Sequence, residues 1–224
     1  MSTSFSFKPI VTDGLILCLD AANTKSYNGI LNSWSNLARD NSLNLISTTF
    51  SSEFLGGISF NGLNSYASGN FTNPFAETIM VWVKSNTSTW NEFGWISSSR
   101  GQNGHIIHPS PGSKDINFYV VDSSSNYSLV GTLTPSDIRV PHFYCLSTNG
   151  SNLHKAYLDD ELSLTSNTSI TRTSSPYSVN WYLGKDDSID RFGNGVIYLV
   201  MRYNRQLTDS EVLQNYNVLK NRFI

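Results

Sequence analysis

Short apolar runs closed by polar turn residues recur along the whole chain, and this rhythm limits the fold more than any other feature. The run Leu15–Asp20 ends at Ala21-Ala22-Asn23. Residues 78–84 alternate cleanly, with Ile79, Val81 and Val83 facing one way. Ile116–Val121 and residues 127–131 flank a polar loop at 122–126. His142–Thr148 and residues 153–158 flank Asn149-Gly150-Ser151-Asn152. Both pairs read as hairpins. Further runs lie at 56–60, 93–97, 105–108, 162–164, 181–184 and 195–203. About a dozen strands joined by polar turns predict an all-β chain folded as an antiparallel two-sheet β-sandwich.

The C-terminus breaks the rhythm. Val196, Tyr198 and Val200 alternate with Ile197, Leu199 and Met201, and the chain then reaches Thr208-Asp209-Ser210-Glu211. That spacing is a capping box: the Thr208 hydroxyl accepts from the Glu211 N–H, and the Glu211 carboxylate accepts from the Thr208 N–H. Val212, Tyr216 and Leu219 then share one face of a short terminal helix.

Length and composition exclude several classes. The chain has 224 residues, 39% of them hydrophobic, enough for one sizeable core. Only 14% are charged, against about 25% in an average domain, so Ser, Thr and Asn must supply the surface polarity. The net charge is −2 with Lys and Arg scattered singly, which argues against nucleic acid as a partner. No apolar run approaches the roughly 20 residues of a membrane span. The first residues lack the pattern of a secretory signal, so residues 1–12 are expected to form an N-terminal arm and 13–224 one domain. Cys18 and Cys145 sit in strand-like apolar runs and read as buried free thiols.

Several motifs occur in a telling order. The start is Gly14-Leu15-Ile16-Leu17-Cys18-Leu19-Asp20-Ala21, then Ser26-Tyr27, and Trp34-Ser35-Asn36-Leu37. Phe60-Asn61-Gly62-Leu63-Asn64-Ser65-Tyr66 follows, then Thr78-Ile79 with Trp82-Val83, Tyr157-Leu158-Asp159-Asp160, Leu183-Gly184 and Tyr203-Asn204-Arg205 before the helix. Together they resemble the concanavalin A-like, laminin-G-like jelly-roll family, in the form found in phage and bacterial proteins. The resemblance covers nearly the whole chain and implies a jelly roll with Trp82 as its sheet tryptophan. It also implies a calcium ion or a glycan at the sandwich rim. Here the pattern departs: Asn61 and Asn64 stand where carboxylates are common, and Tyr198 and Leu199 where an acidic pair is common. Fewer carboxylates disfavour calcium at that rim.

Asp186, Asp187 and Asp190 form the other calcium candidate, against the plainer reading of a solvated acidic turn balanced by Lys185 and Arg191. His105 and His108 are three apart on a strand and point to opposite faces, so they cannot chelate one metal. His142 and His154 fall at strand ends and read as ordinary sheet residues. No alternating carboxylate run of the glycosidase kind is present, and no nucleophile motif, so no catalytic residue is assigned. Carbohydrate-binding candidates are Trp90, Asn91, Glu92 and Tyr177, because a ring beside amides and carboxylates can stack on a sugar while they bond its hydroxyls. Trp95 and Trp181 read instead as core positions.

Three functions remain open. The first is a non-enzymatic virion structural or adhesion protein, a phage capsid decoration or tail component made in the host cytoplasm. It would assemble with other virion proteins and with itself, as a trimer for instance, and could bind host glycans. The second is a free-standing carbohydrate-binding lectin module, and the third a sandwich-type glycosidase or lyase.

Overall fold

The computed structural model describes residues 9–30, 32–92, 96–175, 177–186 and 189–223. Its first strands are β1 (Leu15–Asp20), β2 (Ser33–Ser35), β3 (Ser42–Ile46), β4 (Thr49–Ser51), β5 (Gly57–Asn61), β6 (Tyr66–Asn73) and β7 (Glu77–Ser85). Then come β8 (Ser97–Ser99), β9 (His105–Pro109), β10 (Ile116–Val121), β11 (Tyr127–Leu133) and β12 (His142–Thr148). The last are β13 (His154–Leu158), β14 (Glu161–Ser166), β15 (Tyr177–Leu183), β16 (Asn194–Tyr203) and the helix α1 (Asp209–Leu219). Two antiparallel sheets form a sandwich. The first runs β14-β13-β12-β7-β16-β5-β4, with β1 also paired to β16. The second runs β11-β10-β9-β8-β15-β6-β3-β2.

Apolar alternation places the core. Ile79, Val81, Val83 and Leu146 of the first sheet meet Ile107, Phe118, Trp181 and Leu183 of the second in one interior cluster. The opposite face of the first sheet carries Met80, Trp82, Phe143, Cys145 and Met201, which Val212 and Tyr216 of α1 and the following Phe223 cover. The first sheet is thus buried on both faces, which is why β7 reads as an almost continuous apolar run. Among the described residues, no helix covers the outer face of the second sheet in this way.

β16 departs from the expected alternation. Ile197 and Val200 face the interior cluster, while Val196, Tyr198, Leu199, Met201 and Tyr203 belong to the layer under α1. The register against β7 shifts between Ile197 and Leu199, so a bulge puts the adjacent Tyr198 and Leu199 on one side. A strict period of two could not reveal that extra residue.

The helix begins as its sequence predicts. Thr208 caps it, its side chain accepting from the Glu211 N–H while Glu211 Oε2 accepts from the Thr208 N–H at 2.9 Å. Of the expected N-terminal arm, residues 1–8 lie outside the described residues. Pro9 and Val11 lie on the same domain: the Pro9 carbonyl accepts from Gln214 at 2.7 Å, and the Val11 N–H donates to Asn215 Oδ1 at 2.8 Å. Past α1, Arg222 donates to Asp20 Oδ1 and to the Phe54 carbonyl, both at 2.6 Å.

Cys18 and Cys145 are free and buried. Cross-strand register aligns Cys18 with Met201, Met201 with Met80, and Met80 with Cys145. Three strand spacings, about 14 Å, separate the thiols, beyond the roughly 7 Å that a disulfide can bridge. Burial, with a smaller contribution from Asp20, pushes the Cys18 thiol up to about 11, so it stays protonated.

Candidate functional site

The strongest electrostatics lie inside the sandwich. Glu77 of β7 is fully buried between two arginines: Arg202 of β16 donates to Glu77 Oε2 from Nε at 3.0 Å and from Nη2 at 2.8 Å, and Arg172 lies 3.4 Å from Oε1. His105 of β9 places Nδ1 3.3 Å from Glu77 Oε2. Burial alone would raise the Glu77 carboxyl, but Arg202, His105 and Arg172 together hold it well below the usual range. Arg202 also reaches Asn73 of β6 at 2.7 Å, so the network ties one sheet to the other. Sealed from solvent, it serves the fold.

The sequence-derived site residues do not converge. Trp90 is corrected: it is 1% exposed, packs in the interior cluster and donates from Nε1 to the Lys114 carbonyl at 3.0 Å. A ring so buried has no face to offer a sugar. Asn91 braces the rim, donating to the Phe192 carbonyl at 2.8 Å and accepting from the Asn194 N–H at 2.9 Å. Glu92 lies 3.9 Å from Arg191 Nε. Tyr177 begins β15, whose other end adjoins this rim; six residues of strand, about 20 Å, separate the two ends. Trp95 lies outside the described residues, and Trp181 is buried as expected.

The aspartates diverge as well. Asp186 is wholly buried, with Oδ2 3.1 Å from Arg100 Nη2, whereas Asp190 lies 2.9 Å from Lys185 Nζ. Asp187 lies outside the described residues. No group of three His, Cys, Asp or Glu side chains able to hold a metal occurs among the described residues. His105 and His108 do point to opposite faces, His105 inward and His108 partly exposed. His142 is clamped between Asp159 Oδ2 at 2.8 Å and the Asp137 carbonyl at 2.9 Å.

A different constellation emerges on the outer face of the second sheet. In β10, Phe118 and Val120 enter the interior cluster, so Asn117 and Tyr119 face outward. The Tyr119 ring is parallel to that of His108 on β9, with centroids 5.2 Å apart and planes at 2°. On its other side Tyr127 of β11 meets it edge to face at 5.9 Å. Tyr127 is 58% exposed. The Arg100 guanidinium lies 5.9 Å from the Tyr127 centroid and is anchored by Asp186. Beside the rings, Asn117 donates to Ser110 Oγ and accepts from Thr132 Oγ1, each at 2.7 Å.

The stretch made by residues 184–186 and 189–193 approaches this row through the Asp186–Arg100 ion pair. It folds back on itself through a Gly193 N–H to Gly184 carbonyl bond of 3.0 Å and the Lys185–Phe192 bridge. Gly184 has φ +77°, and a Cβ there would stand 2.3 Å from the Phe60 ring, so the turn requires glycine. Lys185 Nζ lies over Tyr66, Tyr182 and Phe192 at 5.1, 5.8 and 5.4 Å. The exposed Tyr127 ring, backed by Tyr119 and His108 on adjacent strands and flanked by amide, hydroxyl and guanidinium groups, can stack on an apolar sugar face while its polar neighbours bond hydroxyls. Sequence reasoning missed this row. The outward register of Tyr119 and the position of Tyr127 across the 122–126 hairpin are the signals that could have found it.

Comparison with known proteins gives the arrangement a context. A family model described as the concanavalin A-like lectin/glucanases superfamily matches residues 57–213. No curated protein matches the sequence significantly. Among solved structures, the receptor binding domain of botulinum neurotoxin C/D mosaic serotype superposes with a TM-score of 0.70 at 15% identity, covering 93% of this chain and 52% of that one. The botulinum neurotoxin serotype D ligand binding domain, in complex with N-acetylneuraminic acid, gives 0.68 at 14% identity, covering 93% and 52%. Domain 4 of AbnA, a GH43 extracellular arabinanase from Geobacillus stearothermophilus, in complex with arabinotriose, gives 0.66 at 13% identity, covering 90% and 98%. At these identities the likeness is one of fold. This chain is matched along about half the length of the toxin domains, at 52%, and along almost all of the arabinanase domain, at 98%.

Proposed function

The chain belongs to the concanavalin A-like lectin/glucanases superfamily, and on that premise we propose that it is a non-catalytic glycan-binding domain. Its ligand lies on the outer face of the second sheet, across His108, Tyr119 and Tyr127. The observation that carries this reading is the aromatic row itself, placed on the sheet face that α1 does not cover and opened to solvent at Tyr127. A domain of the same fold and similar length is described in complex with arabinotriose, which fits such a role. Among the described residues, the carboxylates on the Arg100 side of the row favour binding over hydrolysis. Asp186 lies buried against Arg100, Asp190 is held by Lys185 and Glu92 faces Arg191, whereas glycoside hydrolysis needs two carboxyls disposed about one bond. The virion assembly and self-association expected from the phage-type resemblance, the single-domain organisation and the composition concern where such a domain is mounted. Glycan binding would serve it there or elsewhere.

A glycan array followed by titration tests the proposal. The native chain is expected to bind at least one glycan class, and Tyr127→Ala to weaken that binding about tenfold, or ~1.4 kcal/mol, while melting at an unchanged temperature. A native chain that binds nothing on the array, or a folded Tyr127→Ala that binds as well as the native chain, would sink it.

A further inference from the structure

The far edge of the second sheet carries another constellation, apart from the aromatic row. Trp34 of β2 and Leu43 of β3 enter the interior cluster, so Ser35 and Ser42, which pair across these strands, face outward. One buried amide pins the chain between them. Asn36 Oδ1 accepts from the Cys18 N–H at 2.8 Å and the Ala38 N–H at 2.9 Å. Its Nδ2 donates to the Ile16 carbonyl at 2.9 Å and to Asn41 Oδ1 at 2.6 Å. The Asn36 N–H donates to the Asn41 carbonyl at 2.9 Å and closes the loop. Ser35, Asn36, Arg39, Asp40, Asn41 and Ser42 line an open cleft of about 300 Å³ at this point.

The groups that reach this cleft are uncommitted. Among the described residues, no hydrogen bond or ion pair engages the side chains of Arg39, Asp40, Ser35 or Ser42, and only the Oδ1 end of Asn41 is taken, by Asn36. The set therefore offers a planar guanidinium and an amide as donors, a carboxylate as acceptor, and two hydroxyls that serve as either. Arg39 and Asp40 are its charged members, one of each sign. An anion on Arg39 would face Asp40, and a cation on Asp40 would face Arg39. Two neighbouring sugar hydroxyls need both, because each hydroxyl donates one hydrogen bond and accepts others. We propose that the cleft is a second saccharide site, which takes a neutral sugar through a vicinal diol. Asp40 accepts from the two hydroxyls, while Arg39 and the Asn41 amide donate to them. Six strand spacings, roughly 29 Å, separate β3 from β11. The cleft and the Tyr127 row thus engage different sugars, and a glycan-coated surface is held at two points.

The test follows backbone amides of the isotope-labelled native chain by NMR during titration with galactose, mannose and arabinose as neutral probes. N-acetylneuraminic acid and glucosamine serve as the anionic and cationic probes. At least one neutral probe is expected to shift the amides of residues 39–42 to saturation, and to bind there more tightly than either charged probe. Arg39→Gln and Asp40→Asn are each expected to weaken that binding about tenfold, the worth of a hydrogen bond to a charged group. Both side chains are exposed, so the melting temperature should not move. Tyr127→Ala should leave the shifts at 39–42 as they are, which separates this site from the aromatic row: either can fail without the other. Absence of shifts at 39–42 with all three neutral probes overturns the site. Tighter binding there by N-acetylneuraminic acid or glucosamine overturns the diol. An Arg39→Gln or Asp40→Asn variant that binds as well as the native chain overturns the roles given to these residues.

Discussion

Replacing Glu77 by glutamine is expected to cost about 3–5 kcal/mol of unfolding free energy, the range for breaking a buried ion pair from one side. Urea denaturation at neutral pH measures it. The carboxylate is shared by Arg202 and Arg172, both buried in the sandwich. Glutamine keeps the shape but removes the negative charge that the two guanidiniums share, so both remain in a medium that solvates them poorly. Arg172 would keep its bond to the Val121 carbonyl, and Arg202 its bond to Asn73, and neither restores the lost charge. The exposed pair of Arg139 and Asp137 supplies a contrast, since water replaces a surface partner at little cost. A loss below about 1 kcal/mol for Glu77→Gln would show that the network does not hold the sheets together.

The same network makes the fold sensitive to acid. Burial pushes His105 below its ordinary value of 6.5, outweighing the pull of Glu77. The unfolded chain therefore takes up this proton first as pH falls. The stabilisation from a neutral His105 is full above 6.5 and declines below it. The depressed Glu77 carboxyl contributes above its ordinary 4.5, and that contribution is lost as pH falls through its folded value. Both changes have one sign but separate windows: between about pH 7 and about pH 4 the melting temperature should fall mainly through His105, with Glu77 adding its loss only below 4.5. His142 has the opposite sign. Burial lowers it, but Asp159 and the Asp137 carbonyl raise it further, so its contribution fades as pH rises through its folded value. Calorimetry across this range checks the balance, and a flat profile would contradict the network's role.

How much of this was legible in the sequence depends on the distance over which each residue finds its partner. The strands of apolar alternation, the hairpins at 122–126 and 149–152, and the Thr208–Glu211 cap are decided by neighbours a few residues away and stand where the pattern puts them. The short strands β2, β3 and β4, in contrast, lie in a polar stretch where no apolar run announced them, and of the run expected at 93–97, residues 93–95 lie outside the described residues. Trp90 failed as a binding candidate because its polar neighbours Thr89 and Asn91 say nothing about the Lys114 carbonyl that receives its indole. Asp186 looked like one of three carboxylates in a turn. Its partner is Arg100, 86 residues earlier. Glu77 could not announce Arg202, 125 residues later. The bulge in β16 hid the fact that Tyr198 and Leu199 share a side. The particle role rests on the phage-type resemblance, the single-domain organisation and the low-charge composition, none of which encodes a contact.

Trp82 is the residue whose sequence reading and structural weight agree best, and Trp82→Ala is expected to cost about 3–5 kcal/mol. The indole stacks against Tyr216 at 5.6 Å and 13°, against Phe223 at 4.1 Å and 15°, and tilts against Phe143 at 5.6 Å. It is the platform on which the C-terminal segment lies, because α1 buries only Val212, Asn215 and Tyr216 of its own length. An 11-residue helix is marginal in water without such packing. Removing the platform should therefore release the helix before the sheets separate. Hydrogen exchange should show amides of α1 losing protection in Trp82→Ala while those of β7 and β12 keep most of theirs. The indole Nε1 has no hydrogen-bond partner among the described residues, so Trp82→Phe, which keeps a ring, should recover most of the loss. Equal protection of α1 and β7 in Trp82→Ala would mean that helix and sheet unfold as one unit, with the helix anchored by the Asn215–Tyr203 and Asn215–Val11 bonds instead.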